Sequence, residues 1–567
     1  MRMPECLQTG EKPSIEGGKK EHFYRSIKSQ NAAIAIKKMG NEIVMKTAIK
    51  RRNFIKAGAS LAAFGLLGDF ANQAMAKSVE GGTLKIGTSN ELNYNMLCFA
   101  MTGGPYDYVY SWPIYESLFK PNANGTIDPW LAESVESDAK ALTYTIHIRR
   151  GVTFSDGSVL NATVVKWNLD HYLKVGAKRV ALLGSITSVD VLDDYTVRLV
   201  LSKWSSFIPA ALSRECGYMF SQQHYEKYGD DYCQQHPVGT GPFVLKEWVR
   251  DVSKSFVRNE HYWGGKVLLE AVQYTIYNDS LVGQAALMSD EIDVMIGLGL
   301  NGVKTLAANG FDAPIEPLQD HASLLVFNSL NTSNDDPMGN LLVRQAISHA
   351  INRKSIIEAA FLGYADIASQ FGIGSHFVNK DIVGYDYNVA KAKELLAKAG
   401  FPQGFSTKIQ AAASDTNKIV LQIMQADLAK VGIQAKIELL TGAASNKAET
   451  GWGSGMWYHT SSVYVDVAMQ MSSMFPKGLT GGVLGLTTML RPDDVSDALV
   501  RAVSSTSDAE SVKAVGEANK MMIDTYALYV PIAQYSTIYV LSKRVKASGI
   551  GATFFSVASL STAYLDT

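Results

Sequence analysis

The stretch that most limits what this chain can become is Pro237-Val-Gly-Thr-Gly-Pro-Phe243. Two glycines around a threonine, closed by a proline, are incompatible with a helix interior. Glycine admits backbone angles that other residues avoid, and proline fixes its own φ and removes a donor. The run therefore reads as a tight crossover. Phe243-Val-Leu-Lys-Glu-Trp248 behind it is short and β-prone, and Arg258-Asn-Glu-His-Tyr-Trp-Gly-Gly265 closes the next strand with an aromatic turn.

A chain of 567 residues exceeds one compact core, so two or three domains are expected. The hydrophobic share of 47% and charged share of 19% are those of a globular protein. A net charge of -1 gives no electrostatic footprint for a polyanion, which argues against nucleic-acid binding.

Lys50-Arg-Arg-Asn-Phe-Ile-Lys56 is a twin-arginine pattern, followed by a moderately apolar run from Ala57 to Leu67. Ala74-Met-Ala76 supplies small residues for a cleavage site. Residues 45–76 are thus expected to be a twin-arginine export signal removed after Ala76. Residues 1–44, polar and mixed in charge, read as an over-extended start that takes Cys6 with it. The mature protein is expected in the periplasm. Of its remaining cysteines, Cys98, Cys216 and Cys233, the last two are the more local pair. An oxidising compartment modestly favours a bridge between them over three packed thiols. There is no C-x-x-C.

Thr83–Gly87 alternates as a first strand. Met96–Tyr115 is dense in aromatics (Tyr106, Tyr108, Tyr110, Trp112, Tyr115), most of which belong in a core. Tyr106 and Tyr108 are the candidates for walls of a shallow ligand site, with Trp112 beside them. Tyr144, Ile146 and Ile148 share one strand face, with His147 on the other, and Asp156-Gly157 is a turn. Val189–Leu201 reads as a hairpin turning at Asp193-Asp194. Lys178 and Arg179 read mainly as solvated charges. Arg214 lies in an apolar run with only Glu215 as a charged neighbour, which makes it the better partner for a carboxylate. Val272–Tyr277 and Leu324–Asn331 read as main-lobe strands, and Ser333–Pro337 as a linker. Val343, Ala346, Ile347, Ala350 and Ile351 recur at helical spacing. A second helix runs from a cap at Asp386 to Gly400, a third from Thr416 to Val431, and then a strand alternates from Ile433 to Leu439.

These elements closely resemble the peptide/nickel type of extracytoplasmic solute-binding protein, family 5, the receptor of an ABC importer. The resemblance rests on Tyr115-Glu-Ser-Leu118, Pro129-Trp-Leu-Ala132, Arg149–Gly157, Gly239-Thr-Gly-Pro-Phe243, the strand ending in Phe327-Asn328, and Val343–Arg353. It spans roughly residues 80–540. It implies an α/β fold: a two-lobed periplasmic binding protein of class II type, with an extra β-rich domain inserted in the first lobe. The implied division is 77–118 for the first part of lobe 1, 119–236 for the insert and 237–330 for the second part of lobe 1. Lobe 2 is then 331–530, and 531–567 return to lobe 1. A monomer that closes on a small-molecule or peptide ligand and hands it to a membrane permease follows from the resemblance.

Met456–Asp466 aligns with the family's Trp-x-x-Asp-Tyr-x-Asp-Pro run. In peptide-binding members its first Asp pairs with the ligand's α-amino group. Here Val463 takes that place, which counts against an ordinary peptide. Tyr458, His459 and Tyr464 remain as possible contacts, and Asp466 reads as a structural brace. His459 could touch a metal chelate, which keeps a nickel-chelate receptor as an alternative, but no dedicated metal site and no cofactor are expected. The rival from another class is a secreted hydrolase of peptides or esters. It would need a nucleophile–base pair, and H-E-x-x-H, G-x-x-x-x-G-K-[ST] and G-x-S-x-G are all missing. The expected role is therefore binding rather than catalysis.

Overall fold

The computed structural model describes residues 80–89, 95–101, 105–122, 126–176, 178–313, 321–331, 335–372, 377–464, 466–475, 486–551 and 560–566. Every described residue lies in the compact unit Ser78–Thr567. The expected export signal, Cys6 and the side chains of Tyr106, Lys178 and Arg179 fall outside the described residues.

Among the described residues this unit is built on two six-stranded sheets, one four-stranded sheet and two two-stranded ribbons. In the first six-stranded sheet the order is Tyr539–Leu541, Val294–Ile296, Thr83–Thr88, Ala271–Ile276, Ser253–Arg258 and Phe243–Val249. Thr83–Thr88 runs parallel to both of its neighbours. The Ala132–Asp138, Thr143–Ile148, Thr196–Leu201 and Ile186–Asp193 strands form the antiparallel inserted sheet, whose inward residues join the first lobe's core. Tyr144, Ile146 and Ile148 are buried on one face, as the alternation predicts, and His147 is half-buried on the other.

The second six-stranded sheet runs Ala365–Ile367, Tyr529–Tyr535, His321–Phe327, Met456–Ser462, Ser406–Ala412 and Gln434–Leu440. Helices cover both faces. Leu341–Ala350, Arg353–Ala360 and Asp415–Ala429 pack on one side, and Val467–Met474, Asp493–Ser504 and Asp508–Lys520 on the other. His321–Phe327, expected in the first lobe, is a central strand here, and Tyr529–Tyr535 pairs beside it. The chain therefore changes lobes before 321 and returns only after Tyr535. Leu324–Phe327 is apolar on both faces because both are covered. Such a run names a buried strand without saying which sheet owns it.

One local expectation changes. Asn388, not Asp386, caps the Val389–Lys398 helix by accepting from the Lys391 amide, while Asp386 meets the His349 ring. The helix that begins at Ala162 is capped by Asn161, whose side chain accepts from Val164 N.

Candidate functional site

Three sequence elements converge on one carboxylate. Glu116 is buried, and its Oε1 accepts from the Tyr262 hydroxyl at 2.6 Å. Its Oε2 accepts from the Trp263 indole at 2.6 Å and the Thr240 hydroxyl at 2.9 Å. Tyr115-Glu-Ser-Leu118, Gly239-Thr-Gly and Tyr262-Trp are thus joined by one side chain. Burial pushes the Glu116 carboxyl up to about 7, against the opposing pull of these donors.

The crossover lies flat against the end of the aromatic helix Pro105–Ser111. Gly241 N donates to Ile114 O at 2.8 Å and Phe243 N to Pro113 O at 2.9 Å. A Cβ at Gly239 would sit 2.2 Å from the Ile114 carbonyl oxygen. Close backbone approach, not a left-handed angle, is why glycine is needed there. This junction fixes where the aromatic helix ends, and so where Tyr108 points.

Tyr108, Arg214 and Tyr464 meet. The Tyr108 hydroxyl donates to Glu215 Oε2 at 2.6 Å, and Arg214 Nη2 donates to the Tyr108 oxygen. Arg214 Nε lies 3.5 Å from Glu215 Oε2 without the geometry of a hydrogen bond. The Arg214 guanidinium carbon is 5.1 Å from the centre of the Tyr108 ring and 4.2 Å from that of Tyr464. Burial opposes the charge on Arg214, yet Tyr108 and Glu215 hold its pKa above the usual arginine value. The cluster is a cation from the segment expected to form the insert, laid on an aromatic face from the second lobe. Sequence reasoning counted Glu215 only as a neighbour, yet it is the counter-charge that makes a buried arginine tolerable.

Tyr464 is held by a residue the sequence reading missed. Gln470 is fully buried; its Oε1 accepts from Tyr464 N at 2.7 Å, and its amide nitrogen donates to Ser461 Oγ and Ser462 O. Asp466 caps the following helix, accepting from Met469 N at 2.8 Å, as a brace would. Val463 packs in the second lobe's core.

The other candidates lie apart from this cluster. Trp112 is buried with its ring centre 6.3 Å from that of Tyr539, and its indole nitrogen has no hydrogen-bond partner among the described residues. Tyr458 and His459 are neighbours on Met456–Ser462 and so project to opposite faces of the sheet. Tyr458 is in the core beneath Leu341–Ala350. His459 is 1% exposed, its Nδ1 lies 3.4 Å from Glu449 Oε1, and burial lowers its pKa to about 4, so the ring is neutral. Among the described residues no group of three potential metal ligands occurs, and no helix is long and apolar enough to cross a membrane.

The expected Cys216–Cys233 bridge does not form; Cys98, Cys216 and Cys233 are buried thiols outside any disulfide. Cys216 donates to the Tyr172 hydroxyl at 3.3 Å, and Cys233 closes the Gln222–Cys233 helix. Burial raises the Cys233 thiol to about 11 and Cys98 higher still, so neither is a reactive thiolate.

Direct bonds also link the inserted domain to the second lobe. Trp204 Nε1 donates to Ser505 O at 3.1 Å, and Ser206 N donates to Val503 O at 2.8 Å. Chemically, the site offers a buried cation and aromatic walls drawn from distant parts of the chain. Such a site suits holding a guest.

Comparison with known proteins gives a consistent set. Residues 126–479 match the family model described as "Bacterial extracellular solute-binding proteins, family 5 Middle". The glutathione-binding protein GsiB of Salmonella choleraesuis (strain SC-B67) is 33% identical over 327 residues, 57% of this chain. The chain spans 63% of the length of that relative. Among solved structures, the periplasmic binding protein DppA from Helicobacter pylori, in complex with the peptide STSA, is 27% identical with a TM-score of 0.74. The match covers 86% of this chain and 99% of that one. NikA from Brucella suis, in complex with Fe(III)-EDTA, superposes with a TM-score of 0.76 at 22% identity, covering 86% and 100% of the two chains.

Proposed function

The chain belongs to the bacterial extracellular solute-binding proteins of family 5, and from that premise we propose that it captures a small peptide-like ligand by hinge closure and delivers it, unchanged, to an ABC transporter permease. Ligand that touches both lobes stabilises the closed state by its differential affinity for it. Arg214 is the anchor in this reading. A ligand carboxylate takes a bidentate place on its guanidinium, between the rings of Tyr108 and Tyr464. The observation that carries the proposal is the guanidinium itself: buried, reaching the second lobe's Tyr464, and with no hydrogen-bond partner at Nε among the described residues. Two relatives support the ligand class, one named for binding glutathione and one solved with a tetrapeptide. Because Val463 stands where an acid would meet an α-amino group, the ligand is held through its carboxylate end.

Export by the twin-arginine route, supported by Lys50–Lys56, and action as a monomer complete the reading. A metal chelate is the second reading. It is favoured by the neutral, buried His459, whose ring nitrogens have no hydrogen-bond partner among the described residues, and by the likeness to NikA in fold.

Calorimetric titration of mature protein tests the proposal. Ser-Thr-Ser-Ala and glutathione are compared with their C-terminal amides and with nickel–histidine. Micromolar binding corresponds to about 8 kcal/mol. Amidation should weaken it at least tenfold, and Arg214→Gln should abolish the difference. Equal binding of acid and amide, or recovery of a cleaved peptide, refutes the reading; binding of nickel–histidine alone, lost in His459→Ala, selects the chelate.

A further inference from the structure

A cavity of about 620 Å³ lies between the inserted domain and the second lobe, and none of Arg214, Tyr108, Glu215 or Tyr464 lines it. One wall comes from the loops around the Ile186–Asp193 and Thr196–Leu201 strands, and the other from the Val467–Met474 and Asp493–Ser504 helices. Its volume is that of a small-molecule site. Trp204, Phe207, Met469 and Val503 supply an apolar surface, and Trp204 is held rigid by stacking on Tyr144 at 4.8 Å.

The polar lining is selective. Ser472, Ser473 and Ser504 donate to carbonyls of their own helices, at 2.9, 2.7 and 2.7 Å, so toward a guest they can only accept. Ser185 and Ser205 differ. Both are buried, and neither hydroxyl has a hydrogen-bond partner among the described residues. A buried hydroxyl without a partner carries a desolvation cost that a guest's acceptor would recover. Among the described residues, Lys203 is the only charged one lining the cavity, and no carboxylate lines it. The end of the Asp493–Ser504 helix would ordinarily repel an anion. Its Val503 carbonyl, however, already accepts from Ser206, and the adjacent Ser505 carbonyl accepts from Trp204.

We propose that this chamber is a second ligand site, separate from the Arg214 cluster, which takes small organic acids with an apolar body. The apolar body lies against Trp204 and Phe207. Acceptor oxygens face the hydroxyls of Ser185 and Ser205, and the carboxylate lies toward Lys203. Because the walls belong to different lobes, occupancy favours their approach.

The test uses two isosteric probes, 3-phenylpropionate and 2-phenylethylamine, titrated calorimetrically into mature protein whose fold is checked by melting. The acid should bind at least tenfold more tightly than the amine. Lys203→Glu should erase that preference, and Ser473→Trp, which fills the chamber from its rim, should abolish binding of the acid. Arg214→Gln should leave the acid's affinity within twofold. Equal affinity for the two probes, no binding of either, or an acid affinity insensitive to both Lys203→Glu and Ser473→Trp overturns the proposal. Loss of the acid in Arg214→Gln also overturns it, since the acid then sits in the Arg214 cluster, and the peptide reading survives.

Discussion

Glu116 yields the sharpest quantitative expectation. Its carboxyl titrates at about 7 in the folded protein against 4.5 in an unfolded chain, because burial disfavours the ionised form. Between those values the folded state holds more protons than the unfolded state, so this group's contribution to stability falls as pH rises. At about 1.4 kcal/mol per unit, the loss from pH 4.5 to 7 is about 3 kcal/mol. Glutamine resembles the protonated acid at every pH. Its oxygen can accept from Trp263 and Thr240 while its amide donates to the Tyr262 oxygen. Glu116→Gln should therefore keep a flatter profile, gaining on the natural protein by about 3 kcal/mol across this range. Glu116→Leu removes the acceptor shared by Thr240, Tyr262 and the half-buried Trp263, at about 1 to 3 kcal/mol for each of the two buried donors, so it should lie at least about 2 kcal/mol below the Gln variant at any pH. Urea unfolding followed by tryptophan fluorescence from pH 4.5 to 8 measures all three proteins. A Gln profile parallel to that of the natural protein would show that Glu116 does not titrate as its burial demands. A Leu variant equal to Gln would show that the convergence of the three elements carries no energy.

Two further outcomes are expected. Gly239→Ala, whose Cβ would press to 2.2 Å from a backbone oxygen, should lower the melting temperature by an amount equivalent to about 1 to 3 kcal/mol, whereas Gly299→Ala, with nothing within 4 Å, should be tolerated; equal effects would remove the close-approach argument. Mature protein prepared without reductant should release three thiols to Ellman's reagent on unfolding and none before, with a melting temperature indifferent to dithiothreitol; one thiol instead of three would restore the bridge.

Much of the fold was readable because its signals are local. Alternation in Tyr144–Ile148, helical spacing in Val343–Ile351 and the glycine at 400 each depend on neighbours a few residues away, and the structure follows them. Sheet membership was not local. Leu324–Phe327 is equally apolar whichever lobe buries it, and only its pairing with Met456–Ser462 decides. The disulfide failed for a related reason. Separation along the chain says little about where two side chains lie once a helix such as Gln222–Cys233 stands between them.

The site was readable in part, and one error was avoidable. Consecutive residues on a strand face opposite ways, so Tyr458 and His459 could never have lined one cleft together, and the alternation of Met456–Ser462 already says so. Arg214 was legible as a lone cation in an apolar run, since such a charge needs a reason to be buried. Its reason is distributed: Glu215 beside it, Tyr108 about a hundred residues earlier and Tyr464 in the other lobe. No single window contains that set. The same holds for Glu116, whose donors come from Thr240, Tyr262 and Trp263. In both cases the sequence offered one buried charge among apolar neighbours. The inference open to it was that distant polar residues must converge there, since burial without partners costs several kcal/mol in effective terms. Which residues converge is decided by the crossover at Gly239–Gly241, which seats the aromatic helix and thereby sets Tyr108 against Arg214.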